Sequence, residues 1–372
     1  MRFRFDPEHD ELRQAVRRLL SESAGVADVI LRADDPAACD PRLTARLAQE
    51  IGVYGLSVPG ELGGAGFGLL ELGVVFQEAG RAALGAPLLS PVLAADLLTQ
   101  AAVHGRPGDA GASGDRASGD AVAASLVGRI AAGELIAAPA IAEGPLGWDA
   151  LPGTTATWSP AGWAVTGTKD WVQDGAQAGL FVVYATTPDG PALFAVEAGA
   201  PGLATEPVAT IDISRRFARL HLDAVLATPL AVPDAGEAIR RARDRGLVLL
   251  SADHVGIAQQ CLDMAVAWAS QREQFGQVIG SFQAIKHKLA TVRLELEAAE
   301  AACMYALWAA QDAPAEFASA ARIAAHTCAE AAMLAASENI QVHGGIGATW
   351  EHPAHVYLRR ATTGRRLLAD PQ

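Results

Sequence analysis

Cysteine is scarce in this 372-residue chain, and Cys39, Cys261, Cys303 and Cys328 stand far apart with no CxxC pair. Such spacing offers neither a disulfide framework nor a thiolate metal site. Cys303 and Cys328 fall in apolar helical patterns, which suits buried free thiols. No spaced His/Asp/Glu cluster is visible, so no metal is assigned. Basic residues are also short. The 29 Lys+Arg against 42 Asp+Glu leave a formal charge of −13, which excludes a general nucleic-acid surface, because that needs a basic face. No run reaches the ~18 uninterrupted apolar residues of a membrane span. The opening Met1-Arg2-Phe3-Arg4-Phe5-Asp6 lacks the apolar core of an export signal. These absences predict a reduced, cytoplasmic, soluble protein.

Hydrophobic residues, at 51%, and charged ones, at 19%, suit an ordinary globular chain of two or three domains with a large core. Leu12, Val16, Leu19 and Leu20 recur at helical spacing, and Leu43 to Ile51 repeat the theme. Gly55 to Gly64 reads as a loop before a helix starting near Leu69. Residues 104–120, dense in Gly, Asp, Ser and Ala, read as an exposed connector before helical pattern resumes in Ala121 to Ala132. From about 136 the texture changes to short β-rich runs, such as Phe181-Val182-Val183-Tyr184, between Pro and Gly turns, as in a compact antiparallel sheet. From about 235 helices return. Ile257, Cys261, Met264 and Trp268 line one face, and Val292, Leu296, Ala299 and Cys303 another. The expected division is 1–135 helical, 136–232 β, and 233–372 a helical bundle.

Two segments near the C-terminus carry the most information. One runs Arg272-Glu273-Gln274-Phe275-Gly276-Gln277 and on through Phe282-Gln283-Ala284-Ile285. The other runs Gln341-Val342-His343-Gly344-Gly345-Ile346-Gly347 and on to Trp350-Glu351-His352-Pro353. A planar guanidinium is suited to bidentate contacts with an anion. Paired glycines let backbone N–H groups close on phosphate. Taken singly, each segment also reads as a helix surface or a plain helix cap.

Together they resemble the flavin-binding signature of the acyl-CoA dehydrogenase family. The resemblance extends through Phe5 to Leu19, Glu61-Leu62-Gly63-Gly64-Ala65-Gly66 and Gly167-Thr168-Lys169-Asp170-Trp171-Val172, and so covers nearly the whole chain. It implies a fold that is mainly α with a β domain: an N-terminal helical domain, a middle antiparallel β-barrel-like domain and a C-terminal four-helix bundle. It also implies FAD bound across a subunit interface. Arg272 would then face the pyrophosphate, Phe275 would pack on the adenosine part, and Gln283 would bond nearby. Gln341 with Gly344 and Gly345 would supply the other side. Trp171 matches the residue that covers the flavin ring, and Gln173 stands where a ring-bonding threonine or serine is usual. His343 would be structural. The implied partners are an acyl-CoA thioester, an electron-transferring flavoprotein as electron acceptor, and a sister subunit or further copies of the chain.

The chain departs from the family where the chemistry should be. The aligned stretch Ala142-Glu143-Gly144-Pro145-Leu146-Gly147-Trp148-Asp149 has Ala142 for a threonine and bulky Trp148 for a small serine. α,β-Dehydrogenation needs a carboxylate raised by desolvation to take the Cα proton. The two family positions for that glutamate fall here on Gly246 and Leu368, and the CoA-binding arginine on Leu247. Asp244 matches an acid that contacts the pantetheine. As a base it would point away, because two residues turn a helix by ~200°. The basic run Arg240, Arg241, Arg243 and Arg245 reads either as a solvated helix start or as a contact to CoA phosphates. Restoring an acid at Gly246 is expected to favour the helix by up to ~1 kcal/mol. An intact outward cradle beside a damaged inward site predicts the partner subunit of a heteromeric (α2β2) acyl-CoA dehydrogenase. Such assemblies are found within the family in actinobacterial steroid side-chain degradation. Two alternatives stay open: a homomeric dehydrogenase with an unusual base, and a silent scaffold or CoA-binding module without flavin.

Overall fold

In the computed structural model, residues 5–23, 25–104, 114–144, 147, 148 and 150–368 are described. Helix α1 (Pro7–Glu22) starts with a proline, which forfeits no hydrogen bond in a first turn, and buries Val16, Leu19 and Leu20. Then follow α2 (Gly25–Leu31), α3 (Pro41–Arg46), α4 (Leu69–Arg81), α5 (Leu89–His104) and α6 (Gly114–Ala131). The connector expected over 104–120 needs correction. Residues 105–113 lie outside the described part, and α6 already begins at Gly114. No proline interrupts 114–131. A helix nucleated by the buried Ala123, Val127 and Ile130 can therefore propagate toward its N-terminus through poor helix formers.

Among the described residues seven strands follow: β1 (Ala137–Ala140), β2 (Thr155–Ser159), β3 (Gly162–Gln173), β4 (Leu180–Thr187), β5 (Gly190–Glu197), β6 (Leu203–Val208) and β7 (Phe217–Leu230). Pairing runs β4–β2–β3–β7–β5 and returns from β5 to β4, so the sheet closes on itself. Phe181, Val183, Phe194, Val196, Leu220 and Val225 fill its interior. The sheet is not wholly antiparallel, as the sequence had suggested. β1 pairs with β4 in parallel from Ala137↔Leu180 to Ala140↔Val183, and Thr155↔Thr186 joins β2 to β4 in parallel. All four residues of β1 are buried, with α5 packed against them, the covered setting in which parallel pairing occurs.

The last part holds α7 (Ala235–Gln271), a two-residue hairpin of β8 (Glu273–Gln274) and β9 (Gln277–Val278), α8 (Gln283–Asp312), α9 (Pro314–His343) and α10 (Ala354–Arg366). At about 1.5 Å per residue α7 is roughly 55 Å long, and it packs on α4, α5, α8, α9 and α10. The α4–α7 crossing is a backbone-to-backbone contact. A Cβ on Gly80 would stand 2.0 Å from the Asp253 carbonyl oxygen, and one on Gly256 would stand 1.9 Å from that of Gln77. The helical, β, helical-bundle order is the one the sequence implied.

One buried ionic junction ties the three parts together. The Asp253 carboxylate accepts from Arg360 Nη2 at 2.5 Å and from Arg215 Nη2 at 2.7 Å. Arg215 Nη1 also donates to Asp212 Oδ2 (3.0 Å), and Arg360 Nη1 donates to the Leu84 carbonyl (2.9 Å) and to Ser214 Oγ (2.8 Å). Burial alone would raise the Asp253 carboxyl, but the two guanidinium groups outweigh it and hold it below the usual carboxylate range. Asp253→Asn should cost about 3–5 kcal/mol, because it takes the carboxylate from the buried Arg360 and leaves the buried Arg215 with Asp212 alone. Urea unfolding of the purified chain checks this, and an unchanged midpoint would contradict the junction's role.

Candidate functional site

The two C-terminal segments meet at one corner of the bundle. A small core separate from the main one, Ala265, Ala269 and Val342 with Trp268, Ile279 and Ile285, underlies it. α7 ends when Arg272 leaves the helix at φ −72°, ψ 122°, its guanidinium carbon 6.0 Å from the centre of the Trp268 ring. The β8–β9 turn has Phe275 at φ 55° and Gly276 at φ 80°. Two consecutive positive φ values are what a tight two-residue hairpin requires, but a phenylalanine pays strain for the first. Phe275 is 92% exposed and touches the Phe282 ring edge-on. Gln283 opens α8 on the exposed surface, and Gln341 is exposed two residues before α9 ends. Gly344 caps α9 at φ 71°, and a Cβ on Gly344 or Gly345 would meet nothing within 4 Å. The corner is therefore an open surface of one guanidinium, two amides, a raised aromatic ring and bare backbone. Those groups fit an anionic, aromatic ligand such as a dinucleotide.

Trp171 and Gln173 lie elsewhere, on β3. The register of β3 against β7 shifts between Lys169 and Val172, and Trp171 stands in that bulge at φ 56°. The bulge re-aims the indole, whose Nε1 donates to the Gly144 carbonyl at 3.0 Å. Trp171 and Gln173 line a cavity together with Ala142, Trp148, Leu93 and Leu368. Its volume is about 20 Å³, room for one water, whereas cofactor and substrate pockets run to ~300–1,000 Å³. Pro145, Leu146 and Asp149 of the departing stretch lie outside the described residues.

The two base positions converge here. A Cβ on Gly246 would stand 2.4 Å from Leu368 Cδ1 and 3.1 Å from Leu93 Cδ1. After α10 the chain turns back at Leu368, φ 63°, and buries that side chain to 7% exposure. Hydrocarbon thus fills the space where either glutamate would have reached. Asp244 does not line this cavity; it is buried with an Arg243 Nη2 atom 3.6 Å from its Oδ1. Arg240 pairs with Glu237 and Arg245 with Asp96, so much of the basic run is neutralised within the chain.

Two larger openings are less suited to this chemistry. A cleft of about 460 Å³ at the start of α7 shares Trp148 with the closed cavity, but its walls bring Asp189 and Asp234 as well as Arg240. A groove of about 990 Å³ between α1, α4, α7 and α8 contains Arg13, Arg17 and Arg81. Arg17 is paired with Glu78, and Arg81 with Asp263. Sequence reading missed Leu93 as a wall of the closed cavity and Trp268 as the support of Arg272. Trp268 was visible as the residue one turn before Arg272; nothing local pointed to Leu93.

The three-part helix–barrel–bundle fold defines the class of protein, and comparisons give its family. Residues 6–105 match the acyl-CoA dehydrogenase N-terminal domain, and residues 238–367 the acyl-CoA dehydrogenase C-terminal domain. The acyl-CoA dehydrogenase IpdE2 of Mycobacterium tuberculosis is 34% identical over 98% of this chain and 94% of its own length. Among solved structures, the Tcur3481–Tcur3483 steroid acyl-CoA dehydrogenase (ACAD) variant superposes with a TM-score of 0.82 at 30% identity, over 98% of this chain and 94% of that one. The ChsE4–ChsE5 complex of Mycobacterium tuberculosis gives 0.84 at 25% identity, over 100% and 96%. The chain belongs to the acyl-CoA dehydrogenase family. No helix among the described residues is long and apolar enough to cross a membrane.

The gain expected from an acid at Gly246 must be reversed in sign. Any side chain there enters the Leu368 and Leu93 side chains, and overpacking costs about 1–3 kcal/mol, more than helix propensity returns. Gly246→Glu should lower the unfolding midpoint, and Leu368→Ala should recover part of that loss in the double variant. Denaturant titration of the three variants checks it.

Proposed function

We propose that this chain is the partner subunit of a heteromeric acyl-CoA dehydrogenase, completing the FAD site of a catalytic sister chain while holding no active site of its own. The observation that carries this reading is the contrast between the two sites. The inward site is shut by Leu368 on Gly246 and reduced to about 20 Å³. The outward cradle keeps Phe275, where such a turn prefers asparagine, aspartate or glycine, 92% exposed at positive φ. The similarity to the Tcur3481–Tcur3483 steroid ACAD and to the ChsE4–ChsE5 complex supports the same reading.

Family members are FAD-dependent. FAD, when bound, would accept the hydride leaving Cβ as a base removes the Cα proton. In this reading the base comes from the sister chain. Arg272 would hold the pyrophosphate by charge-assisted bonds, Phe275 would cover the adenosine part, and Gln283 and Gln341 would bond alongside. Gly344 and Gly345 would admit the phosphates to the backbone. Trp171 and Gln173 would keep the family's positions beside the ring; the cavity between them and Leu368 is too small for a ring, and the other side of Trp171 faces solvent. The acidic walls of the 460 Å³ cleft suit CoA phosphates poorly, which disfavours independent CoA binding. Electrons from the assembled enzyme would pass to an electron-transferring flavoprotein, as the family implies.

Two measurements test this. Co-purified with its sister chain, the protein should carry one FAD per pair of chains. Alone, it should neither retain FAD nor oxidise any of a panel of acyl-CoA thioesters with an artificial acceptor. Family-typical turnover by the isolated chain, lost in Asp244→Asn, would sink the reading in favour of a homomeric enzyme. Arg272→Ala should weaken FAD retention by the complex roughly ten- to a hundredfold, as expected for a lost charge-assisted contact worth ~1.5–3 kcal/mol. Equal flavin content after dialysis would remove Arg272 from the site.

A further inference from the structure

Two segments far apart in sequence stack three rings behind the cradle. Trp268, on α7, lies against His343 at the end of α9, with centroids 5.0 Å apart and planes 27° apart. His343 lies in turn against His352, beyond the glycine turn, at 4.2 Å. Trp268 sits one helical turn before Arg272 and under its guanidinium. The indole Nε1 is buried without a hydrogen-bond partner. Ring contact, rather than a hydrogen bond, therefore sets the orientation of the indole. His343 itself is fixed from below, because Nδ1–H donates to the Asn339 carbonyl at 2.8 Å. From above, a Cβ on Gly347 would stand 3.0 Å from His343 Cβ.

We infer that His343 is a positioning residue: clasped between Trp268 and His352, its ring sets the direction in which Arg272 is presented. The inference rests on the reading of Arg272 given above. Neutral rings suit this role. Burial holds His343 below its ordinary value, and burial followed by its histidine neighbours does the same for His352. The charged or titratable groups around the stack are Arg272 from α7, His352 and His355 after the glycine turn, and Arg359 from α10. A proton on the stack would thus meet further cations or would-be cations.

The test uses the chain assembled with its sister subunit, with FAD as the titrant. His343→Ala should weaken FAD binding about tenfold, and His343→Phe, which keeps a flat ring, should stay within about twofold of the parent. If His343 acts through Arg272, the double variant Arg272→Ala/His343→Ala should bind no more weakly than Arg272→Ala alone. Near-UV circular dichroism of the free chain should show the indole band altered by His343→Ala and kept by His343→Phe. Equal weakening by Phe and Ala, or additive losses in the double variant, would overturn the positioning role while leaving Arg272 in the cradle. Unchanged affinity in Arg272→Ala would remove the cradle itself, and this role with it.

Discussion

The contact of α4 with α7 at Gly80 and Gly256, closed by the Asp253 junction, is the constraint on which the rest of the molecule depends. Helix backbones that touch cannot slide, because any shift drives main-chain atoms together. Arg215 and Arg360 then fasten the barrel and α10 to the same point. With its middle pinned, α7 acts as a rod presenting different groups at its two ends. Gly246 and Arg272 are 26 residues apart on or at the end of this helix, or about 39 Å at 1.5 Å per residue. Changes at one end need not disturb the other. In the proposed reading, one rod can therefore lose an active site and keep a cofactor cradle.

The closed end is also favourable in packing terms. Burying a leucine side chain such as Leu368 contributes ~1.5–3 kcal/mol, enough to offset the ~1–3 kcal/mol of strain in its positive φ. A glutamate in the same space would need desolvation without a partner, which enzymes accept only when the raised pKa serves a reaction. Without that reaction, hydrocarbon is the more stable filling. Trp148 and Ala142 beside it also remove polar groups that would otherwise need hydrogen bonds.

How much of this was legible in the sequence depended on whether the signal was local. The helix–sheet–helix order followed from apolar spacing and turn residues, because those reflect nearby burial. The Arg272–Phe275–Gly276 and Gln341–Gly344–Gly345 segments stood out in the sequence because turns with positive φ and helix caps constrain residue type at fixed offsets. The absence of a carboxylate at Gly246 and Leu368 could be read by counting. Their contact could not, since 122 residues separate them and only the return of the chain after α10 brings them together. The parallel pairing of β1 and the early start of α6 were hidden for a similar reason: covering by α5 and helix propagation from a packed segment both override local composition.

The same reasoning separates the two kinds of aromatic at the cradle. Trp268 and His343 are held by each other and by His352, so their geometry belongs to this chain alone. Phe275 is held by its turn, with only the edge of Phe282 beside it. Exposing a large apolar ring in a left-handed conformation costs twice, once in hydration and once in backbone strain. The isolated fold recovers neither. A chain with hydrocarbon at Gly246 and Leu368, yet with such a ring standing in solvent near an arginine stacked on Trp268, has the surface that the proposed partner-subunit reading requires.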